Sequence, residues 1–234
     1  MTALVGPTGC GKTTLGRLLF RFYDPRKGSI LVGGKDIRTV KQRSLRSYIG
    51  VVPQDTVLFN DTLRHNVNYG RLGAELHELE DAVAAARLTK FIASLTEGWE
   101  TVVGERGLRL SGGEKQRVSI SRALLKDPPV VLLDEATSAL DTVTEKSVQD
   151  ALSELGKGRT QIVIAHRLTT IMNADQIVVM DQGTIVEKGR HEELLAKRGA
   201  YYKLWNVQLR AEEEHAKATI RGQITKAAAE SKEE

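Results

Sequence analysis

The chain is poor in cysteine. One residue, Cys10, in 234 excludes an internal disulfide framework and a zinc site built on cysteines alone, and it fits a reducing compartment. Long apolar runs are missing too. No segment approaches the roughly 18 apolar residues of a membrane-crossing helix, and runs such as Val130-Val131-Leu132-Leu133 have the length of a buried strand. No dense Lys/Arg block accompanies the net charge of +4, so the surface reads as mixed in sign and nucleic acid is not an expected partner. There is no internal repeat. With Met1 five residues ahead of Gly6, no leader is expected before the first motif. What remains is ordinary for a globular protein: 41% apolar and 27% charged residues, in a length that fits one large domain or one domain of two lobes.

Short apolar runs alternate with amphipathic stretches, the pattern of an α/β core with a largely parallel sheet. Ala3 to Val5 reads as a strand entering a Gly-rich turn, and Thr13 to Phe22 as a helix stopped near Asp24-Pro25. Ser29 to Val32 and Tyr48 to Val52 read as strands. From 62 to about 100 the chain carries Ala-, Leu- and Glu-rich helical stretches, including Glu75 to Leu95, with little strand signal, which predicts a helical lobe over about 62–124. Strands then return at Val130 to Leu133, Gln161 to Ala165, Gln176 to Met180 and, after a turn at Gly183, Thr184 to Glu187. The tail, 210–234, is Ala-, Glu- and Lys-rich with few core formers and reads as a solvated helix or disordered.

Gly6-Pro7-Thr8-Gly9-Cys10-Gly11-Lys12-Thr13 fits G-x-x-x-x-G-K-[ST] at every fixed position, between a predicted strand and a predicted helix. The glycines let the backbone curl so that N–H groups point inward at phosphate oxygens, and the helix start adds a positive dipole end. Lys12 offers a cation to the β- and γ-phosphates of a bound nucleotide. Thr13 offers a hydroxyl to Mg²⁺, and Thr14 completes the first turn. Cys10 either serves as one of many small side chains tolerated there or is a thiol activated by a helix start and a lysine.

Val130 to Leu133 runs into Asp134-Glu135. Acids after a strand often only open a loop. Paired with the cradle, and at the strand edge where open α/β sheets place ligands, Asp134 suits Mg²⁺ and Glu135 can take a proton from an attacking water. Leu110-Ser111-Gly112-Gly113-Glu114-Lys115-Gln116-Arg117 carries a second helix start, because Ser111 and Glu114 have capping-box spacing. Two glycines in a first turn weaken a helix by roughly 0.5–1 kcal/mol each relative to Ala. They also bare the backbone at the positive end, which favours a phosphate-binding role.

On these residues the chain resembles the ABC ATPases. Leu110 to Arg117 is similar to their signature motif, Gln54 to the Q-loop glutamine, Ser138-Ala139-Leu140-Asp141 to the D-loop and His166 to the switch histidine. The resemblance covers about 1–209. It implies a P-loop NTPase fold, with a RecA-like parallel-sheet core and a helical ABC-specific lobe. It further implies ATP and Mg²⁺ as ligands, with Thr13, Gln54 and Asp134 toward the metal and Glu135, Gln54 and His166 toward catalysis. Two copies would pair head to tail, ATP lying between the Lys12 loop of one and Ser111, Gly112 and Gly113 of the other, with Asp141 near the shared seat.

Val103-Gly104-Glu105-Arg106-Gly107 resembles the X-loop of exporters, which touches the membrane domain. Phe20 to Pro25, Val52 to Thr62 and Gly189 to Leu195 look most like the heavy-metal-tolerance and mitochondrial half-transporters. That branch exports thiol-conjugated, metal-linked or porphyrin-type compounds. It implies attachment to a mitochondrial or vacuolar membrane, on the matrix or cytosolic side, through a transmembrane domain missing from this chain. Family members also carry strands and an adenine-stacking aromatic ahead of the cradle, so an N-terminal truncation is expected. Two other readings keep the same motifs: a soluble ABC ATPase of translation or DNA repair, and an inactive truncated fragment.

Overall fold

The structure is a computed structural model and describes residues 1–105, 107–134, 142–165 and 171–211. In chain order its first half holds β1 (Thr2–Val5), α1 (Lys12–Leu19), β2 (Leu31–Val32), β3 (Lys35–Asp36), α2 (Gln42–Ser47), β4 (Ile49–Val52) and β5 (Asp61–Thr62). Helices α3 (Leu63–Asn68), α4 (Leu76–Ala85) and α5 (Thr89–Ser94) follow, then β6 (Val102–Val103) and α6 (Gly112–Lys126). The second half holds β7 (Val130–Asp134), α7 (Thr142–Gly156), β8 (Thr160–Ile164), β9 (Gln176–Asp181), β10 (Thr184–Gly189) and a helix at His191–Lys197.

Six strands form one sheet in the order β10-β9-β1-β8-β7-β4. Every pairing is parallel except β10 with β9. Side chains alternate faces along a strand, and the buried residues sort accordingly. Ala3, Val5, Val131, Leu133, Val163, Ile177 and Val179 join the larger core with Val118, Ile120, Val148 and Ala151 of α6 and α7. Leu4, Leu132, Ile164, Val178 and Met180 fill a smaller cluster on the other face, with Cys10. There α1 lies so close that a Cβ on Gly16 would stand 3.0 Å from Leu132. Apolar burial on both faces, worth about 1.5–3 kcal/mol per fully buried side chain, fixes the register of the strands.

Tertiary contacts moved several boundaries from those the sequence predicts. Helix α1 ends at Leu19, short of Phe22, because Arg21 takes a left-handed φ of 51°. Its guanidinium donates to Asp24 and to the carbonyls of Ile37 and Val40 at 2.8, 2.9 and 2.8 Å. The stretch from Glu75 to Leu95 is two helices, α4 and α5, broken where Arg87 takes φ 59°. A two-residue ladder, β5 with β6, also sits beside these helices. The tail from 212 onward lies outside the described residues.

Candidate functional site

The loop after β1 is built on three glycines with positive φ: Gly6 at 153°, Gly9 at 83° and Gly11 at 109°. Cys10 N–H closes a turn on the Pro7 carbonyl at 3.2 Å, and Gly183 N–H donates to the Cys10 carbonyl at 3.1 Å, tying the loop to the β9–β10 turn. Gly11 occupies the cap position of α1, with no side-chain cap. The first N–H groups of that helix therefore keep their donors for an outside acceptor. Lys12 is buried, its ammonium donating to the carbonyls of Gly6 at 2.7 Å and Pro7 at 3.1 Å. Thr8, Gly9, Gly11, Lys12, Thr13, Thr14 and Ile164 line a cavity of about 180 Å³.

Cys10 is 3% exposed and packs in the cluster of Leu4, Ile164 and Met180. Its sulfur lies 3.7 Å from the Lys12 ammonium. The side chain fills space in the apolar cluster behind the cradle. Two backing residues, Ile164 and Met180, are legible from the sequence only as strand residues, not as part of the site. Both end an apolar run beside a Gly-bearing turn or a functional loop, and that signal could have found them.

The sheet explains why distant residues converge. In a parallel sheet all strand ends of one kind share an edge. Here Leu4 registers with Ile164, Ile164 with Asp134, and Leu133 with Val52. The cradle follows β1, Asp134 ends β7, and Gln54 lies exposed two residues past β4. The chain also leaves β8 at Ala165, immediately before His166. Glu135, Asp141, His166 and Arg106 themselves lie outside the described residues.

At α6 the expected capping box is present. Ser111 Oγ accepts from Glu114 N–H at 3.3 Å, and the Glu114 carboxylate accepts from Ser111 N–H at 2.7 Å. Helix geometry leaves the N–H groups of Gly112 and Gly113 without an intrahelical acceptor. None of Ser111, Gly112 and Gly113 lines the Lys12 cavity among the described residues. The start of α6 thus shares no lining residue with that cavity.

Gly6 gives a direct test of the cradle's shape. A Cβ there would overlap the Met180 carbonyl and stand 2.7 Å from Cys10 Sγ, at a φ that L-residues rarely adopt. Gly6→Ala is expected to weaken ATP binding roughly 5- to 150-fold, given roughly 1–3 kcal/mol of strain. Titration calorimetry with ATP, beside a thermal melt, checks this. An affinity within twofold of the parent chain would show that the loop's curl is not the seat.

A curled Gly-rich loop at the C-terminal edge of a parallel sheet, with a buried lysine and an uncapped helix start, defines a P-loop nucleotide-binding domain. The chain belongs to the ABC transporter family, whose profile matches residues 1–138. It is 60% identical over 206 residues to ATP-binding cassette sub-family B member 6 of Xenopus tropicalis, covering 88% of this chain and 24% of that protein. It is 54% identical over 206 residues to the ATM1-type heavy metal exporter of Novosphingobium aromaticivorans, covering 88% of this chain and 34% of that one. Among solved structures, a bacterial Atm1-family ABC exporter with ATP bound superposes with a TM-score of 0.83 at 54% identity, over 88% of this chain and 36% of that chain. The chain thus spans about a quarter to a third of the length of the relatives it matches. Nucleotide binding follows from the family and the cradle together.

Proposed function

We propose that this chain hydrolyses Mg-ATP between two copies arranged head to tail and so drives a membrane domain that exports its substrate. The observation that carries this is the convergence of the Lys12 cradle, Asp134 and the loop of Gln54 on one sheet edge. The cradle's N–H groups and Lys12 would hold the phosphates, and the aligned strand ends would place Glu135 and His166 beside them. Thr13, exposed in the cavity, and Asp134 would hold Mg²⁺, with Gln54 reaching toward it. A few oxygen ligands suit an ion that keeps several waters and phosphate contacts. The ion, when bound, supplies neutralisation of the charge that develops on the γ-phosphate. Ser111, Gly112 and Gly113, capped and bare at the start of α6, would close on the nucleotide of the other copy, with Asp141 near the join.

Among the described residues no helix is long and apolar enough to cross a membrane; the proposed assembly joins this domain to a membrane domain. Thiol-conjugated, metal-linked or porphyrin-type compounds are the proposed cargo, at the cytosolic or matrix face of a mitochondrial, vacuolar or other internal membrane.

The test is turnover. Purified chain should release phosphate from ATP in magnesium buffer, fall to background with EDTA and recover when magnesium is returned in excess. Saturable ATP binding without phosphate release under all conditions would favour an inactive fragment over this reading.

A further inference from the structure

Beyond β4 the chain leaves the sheet at Val52, and its next fixed points are on the helical side. Gln116 of α6 is 4% exposed. Its amide donates to the Pro53 carbonyl and its oxygen accepts from the Thr56 hydroxyl, each at 3.2 Å. Two turns further along α6, Arg122 donates to the Val57 carbonyl at 2.9 Å, and to the backbone and side-chain oxygens of Asn66, each at 2.7 Å. Asn66 in turn accepts from Phe59 N–H at 2.9 Å and donates to the Phe59 carbonyl at 3.1 Å. Both sides of Gln54 are thus fastened to α6, directly or through Asn66. The far end of the helix is fastened as well: Lys126 donates to the carbonyls of Arg46 and Ile49 at 2.7 Å each, just before and at the start of β4.

We propose that Gln116 and Arg122 are positioning residues that lock the loop of Gln54 to the helix of Ser111, so that one rigid helix sets a group in each of two nucleotide seats. This rests on the head-to-tail reading above. On that reading Gln54 would serve the cradle of its own chain, and Ser111 the cradle of the other. A shift of α6 therefore reaches both seats together, and the two ATP sites are linked through it.

The residue types suit the task. Gln116 stands in the buried row of α6 with Gly113, Ile120 and Ala123, where an apolar side chain would pack as well. An amide there bridges a carbonyl and a hydroxyl of the loop, which an apolar group cannot do. The Arg122 guanidinium is flat and forked, and it matches several carbonyl acceptors at once while lying over the rings of Phe59 and Tyr69.

The test places spin labels at Val57→Cys and Lys115→Cys, both exposed positions, on a Cys10→Ala background of the full 234-residue chain. The expected distance distribution is single and narrow, and it is the same without nucleotide and with Mg-ATP. Gln116→Leu and Arg122→Gln should each broaden it, and Arg122→Lys should fall between. Thr56→Val removes one of the two loop partners of Gln116 and leaves the Pro53 carbonyl bond and α6 untouched, so it serves, with a smaller broadening, if Gln116→Leu folds poorly. In the Cys10-containing chain, Thr56→Val should lower kcat roughly tenfold with the KM for ATP within about twofold, since the cradle is intact. A parent distribution that is broad or moves with Mg-ATP, or variants that keep the parent's narrow one, would overturn the proposal. Failure of the ATP reading would show separately, as absent nucleotide binding, because the label pair reports on the clip without nucleotide.

Discussion

Glu135→Gln is expected to leave ATP bound and to slow its hydrolysis roughly 10²-fold or more, the scale for losing a general base. The swap keeps size and polarity and removes only the group that can take a proton. The expectation comes from the strand before it. β7 is buried along Val131 to Leu133 and ends at Asp134, which registers with Ile164 at the floor of the Lys12 cavity. On the proposed reading, the strand would carry the next residue, Glu135, toward that cavity. If closure of two copies precedes cleavage, the variant should accumulate as an ATP-held pair. Size-exclusion chromatography with and without Mg-ATP would show the pair, and phosphate release would show the rate. Turnover equal to that of the parent chain sinks the assignment of Glu135 as base.

Mixing two inactive variants is expected to restore activity. Lys12→Ala removes the cation of the cradle, and Ser111→Arg blocks the bare helix start of α6. In a head-to-tail pair of one of each, one seat combines both defects and the other combines none. Random pairing makes half of the dimers mixed, so roughly a quarter of wild-type activity should return if the seats act independently. The expectation draws on the structure because Ser111, Gly112 and Gly113 do not line the Lys12 cavity of their own chain. A mixture no more active than either variant alone would mean that both groups serve the same seat.

The chemistry of the site was more legible than its mechanics. The cradle and the capping box each rest on residues within eight positions of one another, and local spacing carries that kind of signal. The alternation that splits Leu132 from Val131 and Leu133 across the sheet was legible as an apolar run, but the strand order was not. Placing β1 between β8 and β9 depends on crossovers that no local pattern encodes. The end of α1 was misjudged because Asp24-Pro25 looked like the stop, whereas Arg21 turns the chain earlier through acceptors at Ile37 and Val40. Gln116 falls inside the signature stretch and Arg122 lies beyond it, and the motif itself points to neither as a clip. Their partners lie about 60 residues away, and the only local hint was an amide in an otherwise small and apolar inward row.

The central place of β1 bears on how the chain is made. The strand that carries the cradle leaves the ribosome well before its neighbours: it pairs with β8 and β9, whose residues come about 160 positions or more later. At roughly 5–20 residues per second, Ala3, Leu4 and Val5 wait on the order of ten seconds or more without the neighbours that bury them. Such long-range parallel pairing is slow to nucleate. The phosphate seat is thus completed late, and ATP cannot assist folding until β8 and β9 have emerged. Chaperone dependence during synthesis should accordingly centre on the first strand.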